Sequence, residues 1–429
     1  MPGFKAGGIN SWMQRLIPDL VNNHKLDITT LFLYYGDFKS CPTVNFFKEN
    51  ELKISAFSLD KIKYTENRVK KILKIVKAKN INVLITNNVV AALYTHKYLQ
   101  KFNIPVIPIL HSNDAFTKGV ISKFINISQD GIKNSVSVSE RINSHIIDRS
   151  SNHKVIACGT PVLNIYATIP KNCLKIIYAG RLEVEAKQII LLTKSFINIS
   201  KKYNEFEFYI YGNGSKQKEV ISLIEKNKPN KVFYMGAVNP SEIINIISQH
   251  HVFTLMSDYE GMPIAVMEAM ACGVVPVCLY EESGINELID NGVNGFVVND
   301  RNEDYEKRLL QLANNPELWQ ELSKNSIYKI KQKYSAEKTN NSWANFLLSL
   351  KNNTPIEFKI PSKIELDSDL LLYNDNRKPN VSKRIRIEIK DIFMRFRMIV
   401  RPRARLRKFK KDCNCFIGRV VKKIPDSYE

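Results

Sequence analysis

The chain has 429 residues, 44% hydrophobic and 24% charged, a globular composition too long for one ordinary core. No apolar run approaches the roughly eighteen residues of a membrane-spanning helix, and the opening MPGFKAGGINSW lacks the charged-then-apolar order of a signal peptide. A cytoplasmic protein of two domains plus an extension is expected. The net charge of +21 is uneven: after residue 376 there are 18 Lys and Arg against 5 Asp and Glu, a net +13, which leaves +8 for the preceding 376 residues.

Taken in chain order, Gly7-Gly8 leads into SWMQRLIPDLV, a helix expected from about Ser11 with Asn10 or Ser11 as its cap. In a doubly wound unit a glycine turn of this kind is fed by a buried strand that aims its backbone N–H groups at a ligand. Only six residues precede Gly7, so the first strand is missing, and a start codon upstream of the recorded one, or a fragment, is expected.

From about residue 26 to 160, apolar runs (LDITTLFLYY, LKISAFSL, INVLITNN, IPVIPILHSND, NSVSVSE) alternate with helical stretches, among them 60–80 and a helix around 90–102. A second series runs through LKIIYAGRL, FEFYIYGNG, KVFYMGAV, HVFTLMS, VVPVCLY and NGFVV, with helices between them, two more at 302–333 and a last one at 342–350. Near-continuous Ile, Val and Leu strands separated by helices indicate parallel sheets covered on both faces. Two doubly wound α/β units are therefore expected, 1–165 and 170–333, divided where Pro161, Pro170 and a polar KNC break the pattern. A helix at 334–352 returns to the first unit, and 353–429 is a basic extension.

Seven cysteines (Cys41, Cys158, Cys173, Cys272, Cys278, Cys413, Cys415) are scattered, mostly in apolar stretches, and read as reduced thiols. Cys413 and Cys415 form a lone CxC that leaves a tetrahedral zinc half-coordinated. No metal is assigned.

The most informative stretch is SDYEGMPIAVMEAMACGVVPV at 257–277. A strand ends in a loop holding Gly261, Pro263 occupies the first helical position, and the N–H groups of Met262, Ile264 and Ala265 face a phosphate at the helix N-terminus. Glu260 in the loop and Glu268 on the helix point to the carboxyl end of the strand, where an open α/β sheet binds its ligand. A carboxylate accepting from two hydroxyls suits a sugar or a ribose; a solvated helix-start glutamate is the bland alternative.

E-x7-E followed by AMACGVVPV resembles the signature of glycosyltransferase family 4, retaining enzymes of the two-domain GT-B type in which two Rossmann-like domains face a cleft. In YAGRLEVEAK, Gly180 ends a strand and Arg181 and Lys187 follow with the spacing that the family places on the donor diphosphate. Tyr211-Gly212-Asn213-Gly214 resembles the family's Gly-x-Gly turn, and Met235-Gly236-Ala237-Val238 the strand end bordering the nucleotide base. Gly284, Ile285 and Glu287 match the last turn, which closes on the donor. These motifs fall in the family's order across 176–298. In the first half, Gly7 and Gly8 resemble the glycine pair beside the donor phosphate, His111 a histidine facing the reacting sugar, and Ser139-Glu140 a structural match. Ala157-Cys158-Gly159-Thr160 departs from the family's Pro-Asn-Gly-Val at the hinge.

The resemblance implies an enzyme, a hexosyltransferase that moves sugar from a nucleotide diphosphate to a glycan or lipid-linked acceptor of surface polysaccharide or lipopolysaccharide, with no cofactor or metal. Arg181, Lys187 and the helix at Pro263 would stabilise the departing diphosphate, which assists deprotonation of the acceptor. Glu260 would hold the sugar, Glu268 the ribose, and His111 would face the reacting centre. No strand is followed by GxGxxG, which disfavours a dehydrogenase.

In the tail, Ile385, Ile389, Ile392, Phe393, Phe396 and Ile399 fall at helical spacing among Arg and Lys, which fits an anionic membrane surface at the inner face of the cell membrane. Strand-like alternation at Ile385-Ile387-Ile389 and a plain solvated tail compete with that reading; no zinc spacing or RNA motif favours nucleic acid. The alternative function is a catalytically inactive GT-B-like binding or regulatory protein recruited to the membrane.

Overall fold

The computed structural model describes residues 7–127, 130–148, 151–350 and 358–366, all within one unit, Met1–Asn376. The basic tail, its proposed helix and Cys413 and Cys415 lie outside the described residues.

The chain opens with the helix Gly8–Asn22, which buries Trp12, Leu16 and Leu20 at four-residue spacing. It begins at Gly8 with Gly7 as an uncapped N-cap, earlier than the expected Ser11, because Gly7 in extended conformation lets its carbonyl accept from Asn10 and Ser11 N–H. Strands β1 (Thr30–Tyr34) and β2 (Ile54–Ser58) pair in parallel. A separate parallel sheet follows in the order β3-β4-β5-β6, formed by Leu84–Asn87, Val106–Leu110, Asn134–Ser137 and Asn152–Val155. The N-terminal half thus carries its strands in two pieces, and no strand joins β1 to β3 among the described residues. The expected helix around 90–102 is instead two single turns, Val90–Leu93 and His96–Leu99, with a 3₁₀ turn after them.

The second half is one six-stranded parallel sheet. Its strands are β7 (Leu174–Ala179), β8 (Phe206–Tyr211), β9 (Val232–Gly236), β10 (Val252–Leu255), β11 (Val275–Leu279) and β12 (Phe296–Val298), in the order β12-β11-β10-β7-β8-β9. Every residue of β10 and β11 is buried, which is why their sequences, VFTL and VPVCL, are mostly apolar and carry no charge. Strand order reverses between β7 and β10, and ligands of open α/β sheets bind in the crevice outside the carboxyl ends of such a pair.

The chain crosses between the halves twice, side by side. Thr160 pairs with Ser335, Thr160 N–H donates to the Tyr334 carbonyl at 2.9 Å, and Ala336 N–H to the Thr160 carbonyl at 2.8 Å. Gly159 sits at φ +66°, and a Cβ there would meet Thr339 Oγ1 at 2.1 Å, so the departure from the family pattern at 157–160 still supplies a glycine where the crossings touch. The helix Ala336–Ser349 then brings Trp343 back beneath the first half, 5.9 Å from Trp12. Part of the expected extension, 358–366, is also seated there: Lys77 Nζ donates to the Phe358 carbonyl at 2.9 Å, and Phe358 and Ile364 are buried. No described helix is long and apolar enough to cross a membrane.

Candidate functional site

A cleft of about 1280 Å³ lies between the halves, larger than a pocket for one small molecule and roomy enough for a nucleotide sugar with part of an acceptor. Its second-half wall consists of the carboxyl ends of β7 to β10: Gly180, Arg181 and Lys187, then Gly212, then Val238, then Glu260 through Ile264 with Glu268. The first half contributes Gly7, Gly8 and His111 with its neighbours. Of the catalytic and donor-binding candidates named in the sequence, only Gly214 is not on the wall; Gly284, Ile285 and Glu287 of the expected last turn lie off it as well. A Cβ at Gly214 would meet the Leu182 carbonyl at 2.4 Å, so that glycine serves backbone packing behind the cleft.

Lys187 forms an ion pair with Glu260, both side chains largely buried, 15% and 13% exposed. Arg181 is half exposed and pairs with Glu183 at 2.8 Å. The two cations therefore reach the same cleft in different environments, one enclosed and one open. Both cations, each with its carboxylate partner, line the same wall.

Pro263 is the N-cap of the helix Ile264–Ala271 with ψ 109°, so the helix starts one residue later than expected and Pro263 precedes its first position. Its extended ψ directs the Pro263 carbonyl to Val266 and Met267 N–H, which starts the helix while leaving earlier amides toward the cleft. Glu268, in the second turn, is buried and ion-paired to Arg15 of the opposite half at 3.2 Å. Burial holds its carboxyl above the ordinary carboxylate range, and the Arg15 charge and hydrogen bond oppose that shift.

Gly212 and Gly261 are dictated by close approach. Gly212 has φ +137°, and a Cβ would lie 1.8 Å from the Gly180 carbonyl oxygen. At Gly261 a Cβ would lie 1.9 Å from the His111 carbonyl oxygen; Ser112 pairs with Gly261 in a short antiparallel bridge, and Asn113 N–H donates to the Glu260 carbonyl at 3.2 Å. His111 is thus pressed against the Glu260 loop. Its ring meets Trp12 edge-on at 5.6 Å, and Nε2 is buried without a hydrogen-bond partner. Burial lowers its pKa to about 4, so the imidazole is neutral at pH 7 and presents itself as a hydrogen-bonding group, not a cation.

Glu287, expected to close on the donor, instead bridges the halves: its carboxylate accepts from Glu140 N–H at 3.1 Å and Arg141 N–H at 3.0 Å. Two free N–H groups at the start of the short helix Glu140–Asn143 attract it away from the cleft. The neighbouring Glu282 pairs with Arg141.

Three residues were not legible beforehand. Arg15 sits 253 positions from its partner, and no local pattern joins them. Asn113 is flanked by nothing that marks a cross-cleft donor. Glu281, just past β11, has Oε1 buried without a partner. Burial pushes its carboxyl up to about 7, helped by the Glu260 charge and opposed by the Ser283 hydroxyl, the Glu260 backbone and the Lys187 charge. Among the described residues no group of His, Cys, Asp and Glu could hold a metal ion, and Cys41, Cys158, Cys173, Cys272 and Cys278 are free thiols.

Two α/β units with parallel sheets, facing one cleft at a topological switch point, define a GT-B fold. Within it, residues 167–329 match the family model of glycosyl transferases group 1. The chain is 26% identical over 323 residues to an uncharacterized glycosyltransferase of Haemophilus influenzae, spanning 70% of this chain and 87% of that relative. It is 30% identical over 168 residues to the poly(ribitol-phosphate) alpha-N-acetylglucosaminyltransferase of Staphylococcus aureus, which covers 39% of this chain and 34% of that one. The crystal structure of Anabaena Alr3699/HepE in complex with UDP has the same fold, with a TM-score of 0.66 at 16% identity over 81% of this chain and 98% of that one.

Proposed function

We propose that the protein is a retaining glycosyltransferase of the family 4 type, moving a hexose from a nucleotide-diphosphate donor to a glycan or lipid-linked acceptor in surface polysaccharide or lipopolysaccharide assembly. One observation carries this reading: the Lys187–Glu260 ion pair and the N-terminus of Ile264–Ala271 line a single cleft at the switch point between β7 and β10. The name of the Staphylococcus relative and the UDP in the Anabaena structure support a nucleotide donor and a surface-glycan product.

In this reading the diphosphate draws Lys187 and Arg181 to itself and rests against the amides near Pro263. Positive charge fixed in advance where negative charge develops lowers the barrier to its departure, and no metal cofactor is needed. Lys187 leaving Glu260 frees that carboxylate for the hydroxyls of the donor sugar. Neutral His111 accepts from or donates to the reacting sugar, and the departing phosphate takes the acceptor proton on the same face, which gives retention. Glu268 holds the ribose. Glu260→Ala and Lys187→Ala should each lower transfer at least about a hundredfold while circular dichroism shows a folded protein. Wild-type rates in both variants would overturn the assignment.

We also propose that Arg377–Glu429 holds the enzyme at the inner face of the cell membrane, beside a lipid-linked acceptor. Its net charge of +13 is attracted to anionic lipid at about 1 kcal/mol per cation near the surface. In a flotation assay with anionic vesicles the full chain should rise with the lipid and a chain ending at residue 376 should not; equal recovery would remove the proposal.

A further inference from the structure

Glu268, the more buried of the pair Glu260 and Glu268 at 8% exposure, is reached from the other half of the molecule. Arg15 lies on the helix Gly8–Asn22 between the buried Trp12 and Leu16, and its side chain is only 24% exposed. Its Nη1 meets Glu268 Oε1 at 3.2 Å and its Nη2 reaches the Gly159 carbonyl at 3.5 Å. One guanidinium therefore links the first half, the crossing strand and the helix that follows Pro263.

We infer that Arg15 is a positioning residue: seated between the Gly159 carbonyl and Glu268, it holds that carboxylate in place as a charged acceptor for the ribose hydroxyls of the donor. This rests on the proposed donor reading. A carboxylate offers four lone-pair sites on two oxygens. Arg15 engages Oε1, and among the described residues no donor occupies Oε2, while Glu268 itself lines the cleft. The geometry leaves one oxygen anchored and the other available to a ligand.

The energetics require such an anchor. An ionised carboxylate buried without a partner is costly and takes up a proton; a protonated Glu268 would lose part of its acceptor capacity and the strength of a charge-assisted bond. Burial pushes Glu268 in that direction and Arg15 opposes it. Because Arg15 belongs to the opposite half, Glu268 is anchored by it only while the halves are together, which ties the aim of that carboxylate to closure of the cleft.

The test is discrimination between ribose and deoxyribose. Titration calorimetry on the full chain with UDP, GDP and ADP finds the preferred base, and its 2′-deoxy nucleoside diphosphate is then compared. A site built to bond a hydroxyl rejects the analogue lacking it. The wild type should bind the ribose form about tenfold more tightly or better. Arg15→Met should bring that ratio close to one, with affinity for the deoxy form changed less than about twofold, and Arg15→Lys should restore part of the ratio. If Arg15→Met melts early, Arg15→Lys and Glu268→Gln carry the same comparison. An unchanged ratio in folded variants overturns the role of Arg15. Equal binding of both sugars by the wild type removes the ribose role of Glu268 and with it the proposal, and no binding of any nucleoside diphosphate removes the donor reading itself.

Discussion

Glu281 shows how burial alone makes a side chain sensitive to pH. Its carboxyl stands at about 7 in the folded chain against an ordinary 4.5, so between those values the folded state holds a proton that the unfolded state has released. Stability is fully present below 4.5 and is lost as pH rises through about 7. Glu281→Gln removes the titrating group while keeping its shape, so its melting temperature relative to wild type should rise between pH 5 and pH 8. A constant difference across that range would contradict the buried placement of Oε1. Arg181, Lys187, Glu260 and Glu268, singled out by spacings that resemble the family's, all line one cleft wall, because each stands in the loop or helix that follows the carboxyl end of a strand. Arg15, Asn113 and Glu281 were not singled out, since each acquires meaning only from a partner on another element.

At the scale of elements, the strands were legible wherever burial on both faces forces a mostly apolar run, as in β10 (VFTL) and β11 (VPVCL). β6 was missed because Asn152–Val155 reads NHKV, with no residue fully buried; only its pairing with β5 makes it a strand. Helix boundaries slipped where backbone geometry outranks side-chain caps. Gly7 and Pro263 act as N-caps through extended backbone with no side-chain hydrogen bond, a role invisible to a search for Ser, Thr, Asp or Asn. The region 90–102 has helical composition, but Tyr94 and Thr95 interrupt it between two single turns.

For the whole molecule, the meaning of the sequence resides in how the halves meet. Gly261 against His111, Glu287 against Glu140 and Arg141, and Arg15 against Glu268 join them around the cleft, and none of these meetings is a local pattern. They place His111 and the glycine pair across the cleft from Arg181 and Lys187. Lys187 and the wall around it are proposed to hold a diphosphate, the contact on which the use of the whole cleft depends. Its most direct test is calorimetry of the full chain with nucleoside diphosphates against the matching nucleosides. A diphosphate should bind, at least about tenfold more weakly to Lys187→Ala as befits the loss of a charge-assisted contact, and the nucleoside should show no measurable binding. Equal affinity of wild type and variant for every diphosphate would overturn that role of Lys187.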